Sequence, residues 1–209
     1  MQFIVLQLMK IYIATENKGK LSEVLSHLSD NKELSQQVQF HTLKDLNETQ
    51  LGLYNPVEDG DTYIKNAAIK AKALYEIIKQ PVIADDSGIE VDVLNSRPGI
   101  ASARYAESDE KRIEKLLNEL EPYPESARTA HFISVICYMD QSGNQIFFNG
   151  RVDGKIVNAK GVNGFGYDPV FYYEPLKKTY SQMSPEEKRS VSHRGRALAL
   201  LFQYLQRNR

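Results

Sequence analysis

Apolar and polar positions along the chain follow two periods, one typical of strands and one typical of helices. The segment KIYIA, Lys10–Ala14, is strand-like, and apolar residues then recur at helical spacing from Leu21 to Leu28. This pattern predicts a strand, a turn and an amphipathic helix that begins near Asn17. A second helix is predicted from Thr62, a suitable N-cap, and the strand PVIA follows it. Its apolar stripe is Ile64, Ala67, Ala68, Ala71, Leu74, Tyr75 and Ile78.

The second half of the chain continues the mixture of helices and strands. A third helix is predicted after Asp109, and two strands, HFISVICYM and NQIFFNGRVDGKIV, surround the turn DQSGN and are expected to be antiparallel. Near the end, Ser184 is a predicted N-cap with Pro185 in the first turn, while Ser192 marks an expected break and restart. The pattern therefore predicts an α/β fold with a mixed β-sheet flanked by helices.

Length and composition narrow the class of protein. A chain of 209 residues lies just above the usual single-domain range, so one domain or two closely joined lobes both fit, and a single domain spanning 1–209 is expected. Its 26 basic and 27 acidic side chains give a net charge of -1, which argues against broad nucleic-acid binding. The lone cysteine, Cys137, lies in an apolar run, which excludes an internal disulfide framework and favours a reducing, cytoplasmic location.

The N-terminal run MQFIVLQLM is apolar but short and has no basic segment before it. It suits neither a secretory signal nor a membrane span, so no membrane association is expected. Residues 1–8 are expected to form an extra strand or tail, and Met9 is a candidate alternative start.

Two short stretches carry candidate anion chemistry. ATENKGK, Ala14–Lys20, lies between the first strand and its helix, where backbone amides and two lysines suit a phosphate, although an ordinary solvated turn is the alternative. The spacing matches neither a P-loop nor a dinucleotide-binding fingerprint. DDSG begins with Asp85 and Asp86 after an apolar run, so both acids are expected at the tip of a core strand. They either serve a site or cap the next turn, and only one can easily point into a given site.

Two later stretches suit recognition of a flat ring. GVNGFGYDP, 161–169, places Phe165 and Tyr167 on a glycine-rich loop, where either ring could stack on a ligand or simply pack in the core. KRSVSHRGRAL, 188–198, clusters hydrogen-bond donors beside an apolar helix. On one unbroken helix Lys188 and His193 would point about 140° apart, so a shared role requires the break near Ser192.

The order of these stretches resembles the inosine/xanthosine triphosphate pyrophosphatase family, also called the Ham1-like family. The motifs that carry the resemblance are ATENKGK, VEDGDTYIKNAAIKAKA, ADDSGIEVDVLNSRPGIASARYA, GFGYDPVF and EEKRSVSHRGRAL. The resemblance covers nearly the whole chain from Lys10. It implies a long mixed sheet with helices in two lobes around a nucleotide-binding cleft, and commonly a homodimer.

The resemblance also implies an activity and a set of roles. Family members use Mg²⁺ to hydrolyse purine nucleoside triphosphates outside the standard set, such as ITP, dITP and XTP, to the monophosphate and pyrophosphate. Asp86 would be catalytic and bind the metal together with Glu58. The implied substrate contacts are Thr15, Glu16, Asn17, Lys18, Gly19, Lys20, Ser87, Phe165, Gly166, Tyr167, Asp168, Lys188, His193 and Arg194. Glu16 is a departure, since many relatives have glycine there.

Two rival functions remain open from the sequence. A Maf-like pyrophosphatase acts on standard or modified pyrimidine nucleotides with a related scaffold, but the SHR cluster together with GFGYDP favours an oxo-purine. The other rival is a non-catalytic nucleotide sensor or RNA-binding module, against which the intact acids at Glu58 and Asp86 and the near-zero net charge both argue.

Overall fold

The computed structural model describes residues 8–208, which form eight strands and seven α-helices. The strands are β1 (Met9–Ile13), β2 (Val38–Thr42), β3 (Val82–Val91), β4 (Arg97–Pro98), β5 (Thr129–Met139), β6 (Gln145–Ile156), β7 (Phe171–Tyr173) and β8 (Lys178–Thr179). The helices are α1 (Lys18–Asp30), α2 (Lys32–Ser35), α3 (Glu48–Leu53), α4 (Tyr63–Ile78), α5 (Asp109–Leu120), α6 (Pro185–Val191) and α7 (His193–Arg207). Residues 1–7 of the predicted N-terminal tail, including the first methionine, lie outside the described residues.

All described strands belong to one mixed sheet. Its order is β2-β1-β3-β5-β6-β7-β8, and β4 pairs with β3 off this path. β1 is parallel to both β2 and β3, whereas β3–β4, β6–β7 and β7–β8 are antiparallel. β5 and β6 are neighbours joined by a short turn in which Asp140 N–H donates to Asn144 O. The predicted α/β fold with a mixed, helix-flanked sheet is confirmed.

The chain divides into two compact units. The first comprises the residues up to 85, 135–148 and those from 198 onward, and the second comprises 86–134 and 149–197. In the first unit, the parallel strands β1 and β3 contribute buried side chains such as Ile11 and Val82, and α4 contributes Leu74. In the second unit, fourteen buried side chains form one apolar cluster that includes Phe132, Phe171 and Tyr180.

The acids of DDSG lie inside a strand and not at its tip, so that expectation was wrong. β3 continues through Asp85 and Asp86 to Val91, because buried Ile89 and Val91 extend its core-facing pattern beyond the acids. β1 nevertheless ends beside this point: its last pair with β3 is Ile13 with Ile83. The two acids therefore lie just after the last residue pair between β1 and β3, in the part of β3 that extends beyond β1.

The buried face of α4 also differs from its predicted stripe. Ile64 is exposed, whereas the buried positions include Tyr63, Asn66 and Lys70 beside the predicted Ala67, Ala71 and Leu74. An asparagine and a lysine on the inner face of a helix are unusual, because burial of such groups is costly unless they are paired. This face of α4 therefore has polar contacts as well as apolar packing.

Cap chemistry fixes the helix ends as predicted. Asn17 caps α1, Thr62 caps α4, and Ser184 forms a capping box with Glu187 at α6. α6 stops at Ser192, whose hydroxyl accepts the Gly195 N–H at 3.0 Å in the first turn of α7. The predicted break and restart at Ser192 is thereby confirmed.

Two further features of the described residues bear on chemistry. Cys137 is fully buried, and burial raises the pKa of its thiol to about 12. Among the helices within residues 8–208, none is both long and apolar enough to cross a membrane.

Candidate active site

In the first unit, the turn between β1 and α1 is organised by its own side chains. Asn17 Oδ1 accepts the Lys20 N–H at 2.9 Å, and the Asn17 N–H donates to Thr15 Oγ1 at 3.2 Å. Glu16, Asn17 and Lys18 are exposed at the start of a 13-residue helix. Amides and a positive dipole at such a helix start favour an anion, and the nearby lysines add to this preference.

Lys20 also neutralises the first acid of DDSG. Its Nζ lies 2.8 Å from Asp85 Oδ2, and both side chains are largely buried. A buried carboxylate requires such a partner, and the ammonium of Lys20 meets this requirement for Asp85. Asp85 is therefore engaged with Lys20 within the fold.

Glu58 has a buried cation beside it. Lys70 on α4 places Nζ 2.8 Å from Glu58 Oε2, with Lys70 more deeply buried than Glu58. The turn that carries Glu58 is held to the same helix, because Asn66 Oδ1 accepts the Gly60 N–H at 2.9 Å. The two unexpected polar residues on the inner face of α4 thus position this acidic turn.

The pKa of Tyr54 is affected by the charges around that turn. Burial first, and then the negative charges of Glu58 and Glu16, raise the pKa of the Tyr54 hydroxyl above its usual value. Both carboxylates therefore act on the same tyrosine. Glu16, the residue that departs from the resembled motif, adds its charge to the surroundings of Glu58.

In the second unit, Asp86, the second acid of DDSG, is followed on β3 by a serine that contacts α7. Asp86 is buried, and Ser87 follows it on β3. Ser87 Oγ accepts a hydrogen bond from Arg194 Nη2 at 2.9 Å. Since Arg194 is almost fully buried in the first turn of α7, its guanidinium is tied to the strand that carries Asp86.

Two cations surround the ring of Phe165. Lys188 Nζ lies 4.7 Å from the ring centroid and Arg194 Cζ lies 6.0 Å from it. Lys188 Nζ also contacts Asp168 Oδ2 at 2.5 Å, and that oxygen accepts the Phe165 N–H at 2.9 Å. The same carboxylate therefore holds both the ring and the ammonium. A half-buried aromatic ring beside buried donors is suited to a flat, oxygen-bearing ligand.

The rest of the glycine-rich loop is anchored below Phe165. A side chain at Gly164, where φ is +82°, would place Cβ 2.1 Å from Asp168 Oδ2, so only glycine fits. The Gly166 N–H donates to Asp109 Oδ2 at 2.8 Å, and Asp109 Oδ1 contacts Arg112. Tyr167 lies in the core and donates to Ser102 O at 3.0 Å, while burial raises the pKa of its hydroxyl. Its part in a ligand wall stays a prediction.

Replacing Asp109 by alanine is expected to accelerate amide hydrogen exchange at Gly166 by about tenfold, because the acceptor of its N–H is lost. The matched control is Glu110→Ala, which removes a carboxylate from the same first turn of α5; among residues 8–208 no hydrogen bond or ion pair joins Glu110 to this loop. Exchange measured by NMR or mass spectrometry should separate the two variants. Equal protection in both would contradict the anchoring role.

The predicted site residues thus fall into two groups. The first unit holds Thr15, Glu16, Asn17, Lys18, Gly19, Lys20 and Glu58, and the second holds Asp86, Ser87, Phe165, Gly166, Tyr167, Asp168, Lys188, His193 and Arg194. Sequence reasoning missed Lys70, Asp109 and Phe132, the last of which stacks on His193. Lys70 was detectable as a charged residue inside an apolar stripe. In the described part of the chain, no three His, Cys, Asp or Glu side chains are grouped to hold a metal ion.

Carboxylates and buried cations set on a mixed α/β scaffold are typical of enzymes that act on anionic substrates, and the comparisons specify which kind. The model of the Ham1 family matches residues 11–204. The dITP/XTP pyrophosphatase of Halalkalibacterium halodurans is 40% identical over 198 residues, covering 92% of this chain and 97% of the relative. That of Yersinia pseudotuberculosis is 41% identical over 202 residues, covering 94% and 98%. The structure of the Staphylococcus aureus Ham1 protein aligns with TM-score 0.81 and 38% identity, covering 96% and 100%.

This chain belongs to the Ham1 family. The resemblance inferred from its five motifs is therefore confirmed, and it extends across both units.

Proposed function

We propose that the chain hydrolyses purine nucleoside triphosphates outside the standard set, such as ITP, dITP and XTP, to the monophosphate and pyrophosphate. The observation that carries the proposal is the arrangement at Phe165, where the ring lies beside the cations of Lys188 and Arg194. The names of the relatives from H. halodurans and Y. pseudotuberculosis, both called dITP/XTP pyrophosphatase, support the same substrate class.

Selectivity for the base follows from donor chemistry. Hypoxanthine and xanthine carry an oxygen acceptor at position 6, where adenine carries an amino donor. Arg194 and His193 can donate to the oxygen, whereas adenine would leave a buried donor without an acceptor. Phe165 would stack on the base, with Ser87, Gly166, Tyr167, Asp168 and Lys188 completing its surroundings.

Phosphate recognition is assigned to the first unit. Thr15, Asn17 and Lys20 would bind the phosphates, with Lys18 and Gly19 in the same turn, because that helix start supplies amides and positive charge. Because the charges of Glu16 and Glu58 both act on Tyr54, Glu16 is expected to favour a bound cation and not to contact a phosphate oxygen.

The proposed step is attack of water on the α-phosphorus. Asp86 takes a proton from the water while the oxygen of the water forms a bond to the α-phosphorus. The bond from that phosphorus to the bridging oxygen breaks. Pyrophosphate leaves with the bond's electron pair. Burial of Asp86 suits this role because a positioned carboxylate acts more strongly when water is limited around it.

Magnesium is the proposed cofactor, and Glu58 and Asp86 are the residues that would hold it. The donor chemistry fits, since Mg²⁺ prefers oxygen ligands and usually keeps several waters, so one or two carboxylates suffice. Lys70 Nζ lies 2.8 Å from Glu58 Oε2 and helps to fix the position of this carboxylate. When bound, the ion supplies neutralisation of phosphate charge.

A nucleotide panel tests the proposed function. With Mg²⁺, ITP, dITP and XTP are expected to release pyrophosphate with kcat/KM at least about 100-fold above that for ATP. Chelation of divalent cations should abolish turnover. Release of orthophosphate from ITP would contradict the reaction, and a preference for pyrimidine nucleotides would favour a Maf-like activity.

Assembly and location are further proposals. We infer that residues 1–209 act as one catalytic domain, that the chain forms a homodimer, and that it works in the cytoplasm. The dimer rests on the family resemblance, and the cytoplasmic location is supported by a lone, buried cysteine. Light scattering of the purified chain measures its oligomeric state directly.

A further inference from the structure

The imidazole of His193 is one layer of a stack of three rings. Its centroid lies 4.5 Å from that of Phe132, and their planes differ by 8°. Phe132 in turn is nearly parallel to Tyr180, with a centroid distance of 5.8 Å and an angle of 4°. All three residues belong to the second unit and are buried. Phe132 on β5 therefore covers one face of the histidine.

The backbone of His193 is fixed by a separate contact. A Cβ added at Gly150 on β6 would lie 1.9 Å from His193 O. The backbones of β6 and of the first residue of α7 therefore pack closely here, because Gly150 has no side chain. Ser192 Oγ also accepts the Gly195 N–H in this turn. These contacts fix the backbone at His193, and the direction of its imidazole depends on contacts of the ring itself.

Phe132 makes one such contact, a stack on the imidazole. A planar ring packed at 4.5 Å leaves the imidazole free to slide or turn only at the expense of the stacking contact. The consequence is an imidazole whose edge keeps one direction. A hydrogen-bond donor selects between an oxygen and an amino group only if its direction is kept, because a mobile donor adapts to either.

We propose that Phe132 is a positioning residue for base selection, acting through the ring of His193. The proposal rests on the proposed function for its substrate and adds a residue that does not itself contact the base. It also explains why an aromatic residue occupies this place on β5, beyond filling the apolar cluster that it shares with Tyr180 and Phe171.

Phe171 provides a matched control for the loss of a buried ring. It belongs to the same apolar cluster and packs against Phe132 at 4.7 Å and against Tyr180 at 4.8 Å. Its ring contacts are with those two residues and not with His193 in the described contacts. Phe132→Leu and Phe171→Leu therefore remove the same group from one core, but only the first uncovers the imidazole.

The first measurement is the ratio of kcat/KM for ITP to that for ATP. Phe132→Leu is expected to lower this ratio by about 5- to 10-fold, as loss of an aromatic stacking contact predicts, while Phe171→Leu keeps it near the wild-type value. Equal ratios in the two variants would overturn the proposal. If the wild-type chain itself fails to prefer ITP, the proposed function fails, and the second measurement still decides the role of Phe132.

The second measurement is the NMR spectrum of the histidine ring protons. The chain has four histidines, and a His193→Gln variant assigns the signals of His193 by their loss. Stacking over Phe132 should shift these signals upfield, and Phe132→Leu should remove the shift whereas Phe171→Leu should not. Unchanged signals in Phe132→Leu would overturn the proposal whatever the kinetics show.

A second substitution covers the possibility that leucine packs poorly. Phe132→Met fills much of the space with a flexible side chain and also lacks a ring, so it should reproduce both effects. If neither Phe132 variant folds while Phe171→Leu does, Phe132 serves the core itself and the proposal of a specific role at His193 is overturned.

Discussion

Replacing Asp86 by asparagine is expected to lower kcat for ITP by about 1,000-fold or more, with little change in stability. Asparagine keeps the shape of the side chain but lacks the charge proposed to hold a metal ion and the basic oxygen proposed to take a proton from water. Asp86 is only 7% exposed, so a carboxylate on the protein surface cannot easily take over its role in the variant. Steady-state release of pyrophosphate gives kcat, and thermal unfolding checks the fold.

Asp85→Asn is the matched control for that experiment. Asp85 is the preceding residue on β3 and is 8% exposed, but its carboxylate pairs with Lys20. We expect this variant to retain most of kcat and to lose mainly stability, because the change removes the charge that pairs with Lys20. Near-normal turnover in Asp86→Asn, or equal losses in the two variants, would refute the catalytic assignment.

Replacing Lys188 by methionine is expected to destabilise the protein by about 3 to 5 kcal/mol. Its ammonium contacts Asp168 Oδ2 at 2.5 Å, and only 8% of the residue is exposed. Without the ammonium, the buried Asp168 carboxylate keeps its charge but loses the cation that neutralises it. The free energy of unfolding in urea measures the loss. Turnover of ITP should fall as well, since the same carboxylate holds the Phe165 amide.

Lys178→Met provides the comparison at the surface of the same unit. Lys178 pairs with Glu187 at 2.7 Å, and both side chains are about two-fifths exposed, at 39% and 40%. Such pairs contribute about 1 kcal/mol or less, so this variant should lose far less stability. Adding Asp168→Asn to Lys188→Met should recover part of the loss. Similar losses for the two lysine variants would show that the buried pair is not special.

Local chemistry explains which elements could be predicted from the sequence. The caps at Asn17, Thr62 and Ser184 and the break at Ser192 depend on hydrogen bonds within a few residues, so the side-chain types alone predict them. The mixed sheet followed from the same signals, since alternating strands and helices leave few possible arrangements.

Contacts between distant segments explain what could not be predicted. The DDSG acids were expected at a strand tip because an apolar run stops at them, but the strand continues past them and Lys20, far along the chain, neutralises Asp85. Lys70 was overlooked because the helical stripe was judged by its apolar members, and its partner Glu58 lies outside that helix. Phe132 was overlooked because an aromatic residue in a strand is usually only core.

Most residues of the candidate site could nevertheless be selected from the sequence by their chemical type and grouping. Lys188, His193 and Arg194 were grouped by sequence alone, and the break at Ser192 does separate Lys188 from the other two. The ring of Phe165 beside Lys188 and Arg194 required the fold, because the loop and the helices are separate in sequence.

The buried thiol of Cys137 makes the chain convenient for site-specific labelling. A thiol reacts with maleimides as its thiolate, and a pKa of about 12 keeps Cys137 protonated at neutral pH, while burial blocks access. The native chain thus offers almost no background for such reagents. Val162, which is 96% exposed on the glycine-rich loop three residues before Phe165, is a natural place to introduce one reactive cysteine. A fluorophore there would report nucleotide binding without removal of any native residue of the site.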